Sequence, residues 1–263
     1  MTGYLCKFFW FTGRTYLAGT LALFLFVCPV LRAQDGFDAL FNGKDLDGWE
    51  GQAELWEVRD GIIVGSTEGH PIANNTFLIH RGSKPANFHL KMKLKMGGDN
   101  NSGIMYRAQE IEGISHALSG PQLDVHPKLE YQGMYYSEKT GRGIVAQRGQ
   151  KVTVAEELNA KGRTTPKVTG ELGKEPIFDL SEWNEYEVIA VNKRHIHLIN
   201  GVVTVDVIDR DPSTASSGVI GIQLHQGPPM TVEVKDIAVK SLRGAEARET
   251  IRAALERPVK KKD

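Results

Sequence analysis

Strict alternation of apolar and polar side chains between Phe88 and Met96 is the feature that most constrains the fold of this chain. In the segment FHLKMKLKM every second residue is apolar, and His89 and three lysines occupy the positions between them. A period of two places all the apolar side chains on one face of a β-strand, whereas a helix would scatter them around its circumference. The segment is therefore predicted to be a half-buried antiparallel strand with a solvated lysine face.

Short segments with the same period follow one another along most of the chain. Turn dipeptides such as Asn200-Gly201 separate some of them and are typical of β-hairpins. Residues 150–180 are polar and predict a long surface insertion, with a lid over a site as one role. The period changes after Arg243, where apolar residues among many charges predict a short helix up to Arg257. The pattern predicts an all-β antiparallel sandwich, a jelly roll by preference, with a short C-terminal helix.

One predicted strand near the C-terminal end changes the phase of its alternation. Val232 and Val234 are in phase with each other, whereas Ile237 and Val239 are in the opposite phase. A single extra residue in a strand produces such a slip, so we expect a β-bulge near Lys235-Asp236.

The N-terminal segment differs in kind from the rest. Lys7 and Arg14 precede a short apolar run from Leu17 to Leu31, and Ala33 supplies a small residue at a plausible cleavage point. This order is typical of a secretory signal peptide, and the run is short for a membrane span of about 20 apolar residues. We therefore expect a signal peptide at residues 1–33, a secreted or periplasmic protein, and no stable membrane insertion after cleavage. An uncleaved anchor is the alternative.

Composition excludes several classes of function. The chain carries 32 basic and 32 acidic residues, which gives it no electrostatic footprint for nucleic acid. Its two cysteines, Cys6 and Cys28, both lie in the predicted signal peptide. The mature chain would therefore have no disulfide, cysteine nucleophile or thiolate metal ligand. The predicted organisation is a signal peptide at 1–33, a β-sandwich domain at 34–242 and a helical and disordered tail at 243–263.

Two predicted strands carry hydrogen-bonding side chains along one face. In the segment QLDVH, Gln122, Asp124 and His126 share a face, and in GIQLH the same holds for Gln223 and His225. Such rows are costly to bury unless they are used or solvated. A histidine on the polar face of a strand is most often only solvated, so the rows nominate candidates for a site. In a sandwich, both strands can line one sheet.

The same strand faces also offer metal ligands. Asp124 and His126 would supply two ligands, but no third or fourth ligand is spaced for a strong site. His195 and His197 form another same-face pair, beside a hairpin turn where we expect them to be solvated. The sequence therefore predicts no metal site and no cofactor, and a divalent cation near Asp124 and His126 is the alternative.

An ordered series of motifs over residues 36–242 resembles the 3-keto-disaccharide hydrolase family, a secreted bacterial domain formerly of unknown function. The motifs are LFNGKDLDGW, NSGIMYR, QLDVH, GMYYSEKTGRGIVAQRG, EWNEYEVIAV, ING and GIQLHQGPPMTVEVKDIAVK. The resemblance implies a concanavalin A-like β-sandwich with a carbohydrate site on its concave sheet. Where many relatives have an acidic Glu-Tyr-Gln, this chain has Gly120-Pro121-Gln122. No catalytic glutamate is therefore carried over to that strand.

The implied reaction breaks the glycosidic bond of a 3-keto-glycoside or 3-keto-disaccharide by elimination, followed by hydration. A ketone at C3 acidifies the hydrogen at C2. A base can then remove that hydrogen, a donor can stabilise the enolate at O3, and an acid can protonate the leaving oxygen.

Nine residues are candidates for these roles. The catalytic candidates are His225 or His126 as the base, Asp124 as a group that tunes a histidine or holds a cation, and Arg107 as an oxyanion donor. The candidates for substrate binding are Gln122, Gln223, Asn101, Tyr106 and Tyr135, the last by stacking on a sugar ring. Tyr106 is a second oxyanion candidate, but adjacent strand residues face opposite sides, so only one of Tyr106 and Arg107 is expected to reach the site.

Two other classes of function use the same architecture. A non-catalytic carbohydrate-binding module would bind a glycan without turning it over. An endo-β-glucanase needs paired carboxylates in a Glu-x-Asp-x-Glu pattern. This chain offers Gln122-x-Asp124-x-His126 instead, which disfavours the glucanase.

Overall fold

The computed structural model describes residues 36–173 and 178–258. The predicted signal peptide and the lysine-rich end of the tail lie outside these ranges. The strands are, in chain order, β1 (Asp38–Ala39), β2 (Trp49–Glu50), β3 (Trp56–Arg59), β4 (Ile62–Ser66), β5 (Thr76–His80), β6 (Phe88–Gly97), β7 (Ser102–Glu110), β8 (Leu118–Val125), β9 (Tyr135–Glu138), β10 (Gly143–Ala146), β11 (Gln150–Val154), β12 (Pro166–Glu171), β13 (Asn184–Val191), β14 (Arg194–Ile199), β15 (Val202–Asp209), β16 (Val219–Leu224) and β17 (Thr231–Ser241). A short 3-10 helix covers Leu129–Tyr131, and helix α1 covers Gly244–Glu256.

The strands form two sheets that pack into a sandwich. The large sheet has ten strands in the order β12-β11-β15-β14-β13-β6-β17-β4-β3, with β1 beside β17. The small sheet has seven strands in the order β10-β9-β8-β7-β16-β5-β2. Neighbouring strands are antiparallel except β11 and β15, which run parallel. The all-β jelly-roll sandwich predicted from the alternation is confirmed.

Strand β6 lies in the middle of the large sheet and shows how the alternation forms the core. Its five apolar side chains are at most 4% exposed and belong to the main apolar cluster between the sheets. Its lysines lie on the opposite face, as predicted. The bulge in β17 is also confirmed, because its register against β6 shifts between Lys235 and Ala238 and Asp236 has a φ of 53°.

Helix α1 packs on the outer face of the large sheet, opposite the core. Ala247 and Ala254 are buried there against Ile196 and Leu198 of β14. Strand β14 is therefore covered on both faces. Its alternate side chains point into the sandwich because the helix occupies the other side.

The prediction that His195 and His197 are solvated is wrong, since both are fully buried between the sheets. His197 Nε2 lies 2.8 Å from the hydroxyl of Tyr106, and His195 Nδ1 lies 3.2 Å from the same hydroxyl. Burial lowers the pKa of His197 to about 4 and also lowers that of His195. Both histidines are therefore neutral members of a polar cluster inside the sandwich.

A buried carboxylate fastens the segment after α1 to the large sheet. Glu187 of β13 is fully buried and accepts hydrogen bonds from His89 Nε2 at 2.8 Å and Arg257 Nη1 at 2.5 Å. Lys91 Nζ lies 3.6 Å away. Burial alone would raise the pKa of Glu187, but the bonds from His89 and Arg257 outweigh it and lower the pKa to about 2. Glu187 is therefore ionised, and its charge is compensated.

Glu187→Gln is expected to lower the free energy of unfolding by about 1.5–3 kcal/mol, because a neutral amide with one acceptor oxygen replaces the buried carboxylate that accepts both hydrogen bonds. The measurement is the midpoint of urea unfolding. Glu249→Gln is the matched control. Glu249 pairs with Arg252 on α1, both side chains are 62% exposed, and exposed pairs contribute little. Equal midpoints for the two variants would contradict the anchoring role of Glu187.

Candidate active site

An open cleft of about 620 Å³ lies on the outer face of the small sheet. Leu123 and Ile222 of β8 and β16 point into the core, so their neighbours point outward. The volume falls within the range of ligand-binding clefts in proteins, roughly 300–1,000 Å³. The lining residues that carry the argument are Asn75, Asn101, Gln122, Asp124, His126, Glu138, Gln223 and His225.

Three buried side chains form a directed hydrogen-bond chain across the floor of the cleft. Gln223 Nε2 donates to Gln122 Oε1 at 3.2 Å, and Gln122 Nε2 donates to Asp124 Oδ1 at 2.6 Å. Gln223 Oε1 is buried and has no hydrogen-bond partner among the described residues. A buried acceptor without a partner is rare in folded proteins, and a ligand in the cleft would satisfy it.

Asp124 is the carboxyl group at the end of this chain, and it is 2% exposed. Burial raises its pKa to about 7; the nearby charge of Glu138 adds to the rise, and the hydrogen bond from Gln122 offsets part of it. A carboxyl group with this pKa exchanges its proton near neutral pH, as a general acid or base requires.

The two histidines of the cleft carry their protons on different nitrogens. His225 Nδ1 lies 2.6 Å from the carbonyl oxygen of Gln226, which only accepts, so Nδ1 is the donor and Nε2 has the free lone pair. His126 Nδ1 accepts from the backbone N–H of Lys128 at 3.0 Å, so the neutral ring carries its proton on Nε2. His225 is therefore arranged as a base, and His126 as a donor.

Gly103 of β7 makes room for the floor of the cleft. A Cβ atom at this position would lie 2.2 Å from Cδ of Gln122, whose side chain crosses over the glycine. Gln122 can reach both Gln223 and Asp124 only because that space is empty. Gly103 therefore acts as a structural requirement of the hydrogen-bond chain.

Gly103→Ala is expected to displace Gln122 and to lower kcat/KM for the substrate of this cleft by about 10-fold or more, since misplacement by an ångström is costly in catalysis. Gly97→Ala is the matched control, because a Cβ at Gly97 meets nothing within 4 Å. Steady-state kinetics of both variants provide the measurement. Unchanged kinetics in Gly103→Ala would exclude a role for the position of Gln122.

Six of the nine predicted site residues line the cleft: Gln122, Gln223, Asn101, Asp124, His126 and His225. Glu138 of β9 also lines it and was missed. Its carboxylate accepts a hydrogen bond from Asn75 Nδ2 at 3.2 Å, and it is 5% exposed. It shares a face with Tyr136, so alternation within YYSE was the available signal.

The structure places three predicted residues outside the cleft. Tyr106 lies between the sheets and is bonded to His197. Tyr135 is fully buried and donates to Asp209 at 2.9 Å, so its ring is not available to stack on a sugar. Arg107 is 1% exposed and donates to the carbonyl oxygens of Ala86 and Asn192. These three side chains stabilise the sandwich, and none reaches the cleft.

Three other expectations concern a lid, a metal site and a membrane-spanning helix. The hairpin of β11 and β12 extends the edge of the large sheet, and none of its described residues lines the cleft. Among the described residues, no three His, Asp or Glu side chains are grouped to hold a metal ion.

In residues 36–173 and 178–258, no helix has the length and apolar character needed to cross a membrane.

Comparisons with known proteins agree with this architecture. A 3-keto-disaccharide hydrolase of Bacteroides thetaiotaomicron is 34% identical over 84 residues, and the match spans 29% of this chain and 29% of that protein. Two crystal structures of proposed glycosyl hydrolases from Parabacteroides distasonis share the fold. One has a TM-score of 0.53 at 20% identity and covers 79% of this chain and 94% of its own. The other has a TM-score of 0.51 at 17% identity, with 78% and 99% covered.

A family model also matches most of the chain. Residues 36–240 match the model of the 3-keto-alpha-glucoside-1,2-lyase-like domain. This range nearly coincides with residues 36–242, over which the ordered motifs were found. The resemblance drawn from those motifs is confirmed, and the chain belongs to the 3-keto-alpha-glucoside-1,2-lyase-like family.

Proposed function

We propose that this protein breaks the glycosidic bond of 3-keto-glycosides by elimination and then hydrates the unsaturated product. The observation that carries this proposal is Asp124, a carboxyl group with a pKa of about 7 in an open cleft. The same cleft is lined by His225, which is arranged to accept a proton, and by His126, which is arranged to donate one. Family membership supports the choice of a 3-keto-sugar as substrate.

The elimination uses all three side chains. Nε2 of His225 takes the hydrogen from C2, and the electron pair of that bond makes the ketone oxygen an enolate. The Nε2–H of His126 stabilises the enolate oxygen. Collapse of the enolate restores the ketone, forms the C1=C2 double bond and expels the leaving oxygen, which takes a proton from Asp124.

Hydration returns the catalytic groups to their starting states. Water bonds to C1 while the Asp124 carboxylate takes one of its protons, and protonated His225 delivers a proton to C2. The sum of the two steps is hydrolysis to a 3-keto sugar and an alcohol. The amides of Gln122, Gln223 and Asn101 would hold hydroxyl groups of the sugar.

We also infer that the protein acts outside the cytoplasm, as a secreted or periplasmic enzyme. The support is the order of basic residues, apolar run and small residue within residues 1–33. Sequencing the N-terminus of the exported protein tests this, because the mature chain is expected to lack residues 1–33. A mature chain that still begins at Met1 would favour the uncleaved anchor.

Turnover in deuterated water tests the proposed reaction. The protein is incubated with a panel of 3-keto-glycosides and with the same glycosides before oxidation at C3. Only the keto compounds should be cleaved, and the released 3-keto sugar should carry deuterium at C2, which NMR detects. Equal cleavage of the unoxidised glycosides would exclude elimination, because without the ketone the hydrogen at C2 is not acidic.

Two further outcomes of this experiment separate the alternatives. Glycan binding by calorimetry with no turnover of any keto compound would identify a non-catalytic carbohydrate-binding module. A parallel incubation with chelator addresses the cation near Asp124 and His126. Turnover is expected to persist, because the proposed steps need no metal, and its loss would show that a cation takes part.

A further inference from the structure

A second hollow of about 530 Å³ adjoins the cleft at Asn75. Asn75 lines both spaces, and its side chain holds the boundary in place. Its Nδ2 donates to Glu138 at 3.2 Å, and its Oδ1 accepts from the backbone N–H of Gln226 at 3.0 Å. A ligand that fills the cleft and extends past Asn75 would therefore enter this hollow.

The hollow contains a buried polar atom that lacks a partner. Thr76 lines it and is 5% exposed, and its Oγ1 has no hydrogen-bond partner among the described residues. The neighbouring cleft has the same property at Gln223 Oε1. Buried polar atoms in native proteins are nearly always bonded, so both spaces lack hydrogen bonds that a ligand would supply.

The remaining walls combine apolar and polar groups in about equal measure. Leu55 and Ile72 are among the apolar ones, and so is Ile114, which is 54% exposed. Gln52 is among the polar ones. Covering an exposed apolar side chain with an apolar ring is favourable, at roughly 25 cal/mol per Å² of surface removed from water.

We propose that this hollow binds the leaving group of the substrate, and that it favours a leaving group with an apolar ring. The inference rests on the proposed function, which places the sugar bearing the ketone in the cleft beside Asn75. The ring would cover Ile114 and Ile72, and a hydroxyl group on it would bond to Thr76 Oγ1.

Benzyl and methyl 3-keto-glucosides provide the test, because both release an alkoxide-type leaving group and differ mainly in the ring. The native protein is expected to show a kcat/KM at least about 10-fold higher for the benzyl compound, because the hollow would remove a ring-sized apolar group from water. Ile114→Ser should reduce this preference about 3-fold or more and leave the methyl compound unchanged. Leu158→Ser is the control, because Leu158 is similarly exposed at 56% and does not line the hollow.

The outcomes separate this inference from the proposed function. Equal kcat/KM for the two compounds, or an equal loss for both in Ile114→Ser, would overturn the leaving-group site and leave the function standing. Failure to cleave either compound would overturn the proposed function, and this inference with it. Because Ile114 is an exposed loop residue, the variant is expected to fold normally, and its melting temperature verifies this.

Discussion

His225→Gln is expected to lower kcat/KM for a 3-keto-glycoside by about 10²–10⁴-fold, which is the usual contribution of a general base. The Nδ1–H of His225 is held by the carbonyl of Gln226, which leaves Nε2 free to take the proton from C2. An amide cannot replace that basic nitrogen. Exchange of the C2 hydrogen with deuterated water should disappear together with turnover.

The matched variant is His126→Gln, because His126 is arranged as a donor. A glutamine amide also donates a hydrogen bond, so this change should lower kcat/KM by about 10-fold or less. The loss is smaller because the amide partly replaces the donor. Steady-state kinetics of both variants, with their melting temperatures, provide the comparison. A larger loss in His126→Gln than in His225→Gln would reverse the assigned roles.

Asp124→Asn is expected to abolish most activity and to stabilise the fold at pH 8. The loss in kcat/KM should be about 10²-fold or more, because asparagine cannot protonate the leaving oxygen. The native protein should also lose activity as the pH rises through about 7, where Asp124 gives up its proton. The variant should lack this alkaline decline in its residual activity.

The stabilising effect follows from the direction of the pKa shift. The pKa of Asp124 is raised to about 7 in the folded chain, so between pH about 4 and 7 the folded state keeps a proton that the unfolded state has lost. The free energy of unfolding therefore decreases as the pH rises through this window. Asparagine does not titrate, so the variant keeps its stability across this window. At pH 8 its free energy of unfolding should exceed that of the native protein by on the order of 2–4 kcal/mol.

Urea unfolding at pH 8 and at pH 4 tests this prediction. The two proteins should differ at pH 8 and nearly coincide at pH 4. His195 and His197 have the opposite effect on the pH dependence of stability. Their pKa values are lowered in the folded chain, so the free energy of unfolding decreases as the pH falls below about 6.5. Comparing variant and native protein at the same pH cancels their contribution. A variant that is less stable at pH 8 would show that Asp124 is ionised in the folded state at little cost.

Alternation along the sequence predicted much of the fold because it reports which side chains share a face. The strand at Phe88, the bulge at Lys235-Asp236 and the C-terminal helix were all predicted in this way and are confirmed. The polar rows at Gln122 and Gln223 were also placed together correctly, in one cleft.

Alternation does not show what covers each face of a strand, and this explains why some polar and aromatic side chains were predicted in the wrong environment. His195 and His197 looked solvated, but α1 covers the other face of β14 and turns them inward. Tyr106 and Tyr135 likewise face the interior of the sandwich. Polar side chains in a row therefore mark either a site or a buried polar cluster, and only the packing of the two sheets distinguishes them.

The directed hydrogen-bond chain on the floor of the cleft has a consequence for how a sugar can lie there. Asp124 Oδ1 accepts from the amide nitrogen of Gln122, which fixes the orientation of both glutamine amides and leaves Gln223 with an oxygen as its free atom. A ketone oxygen of the sugar cannot form a hydrogen bond with that amide oxygen, because both atoms only accept. A hydroxyl group of the sugar can donate to it. Under the proposed function, Gln223 would therefore favour an alcohol over a carbonyl at this end of the cleft, and the ketone of the sugar would lie elsewhere.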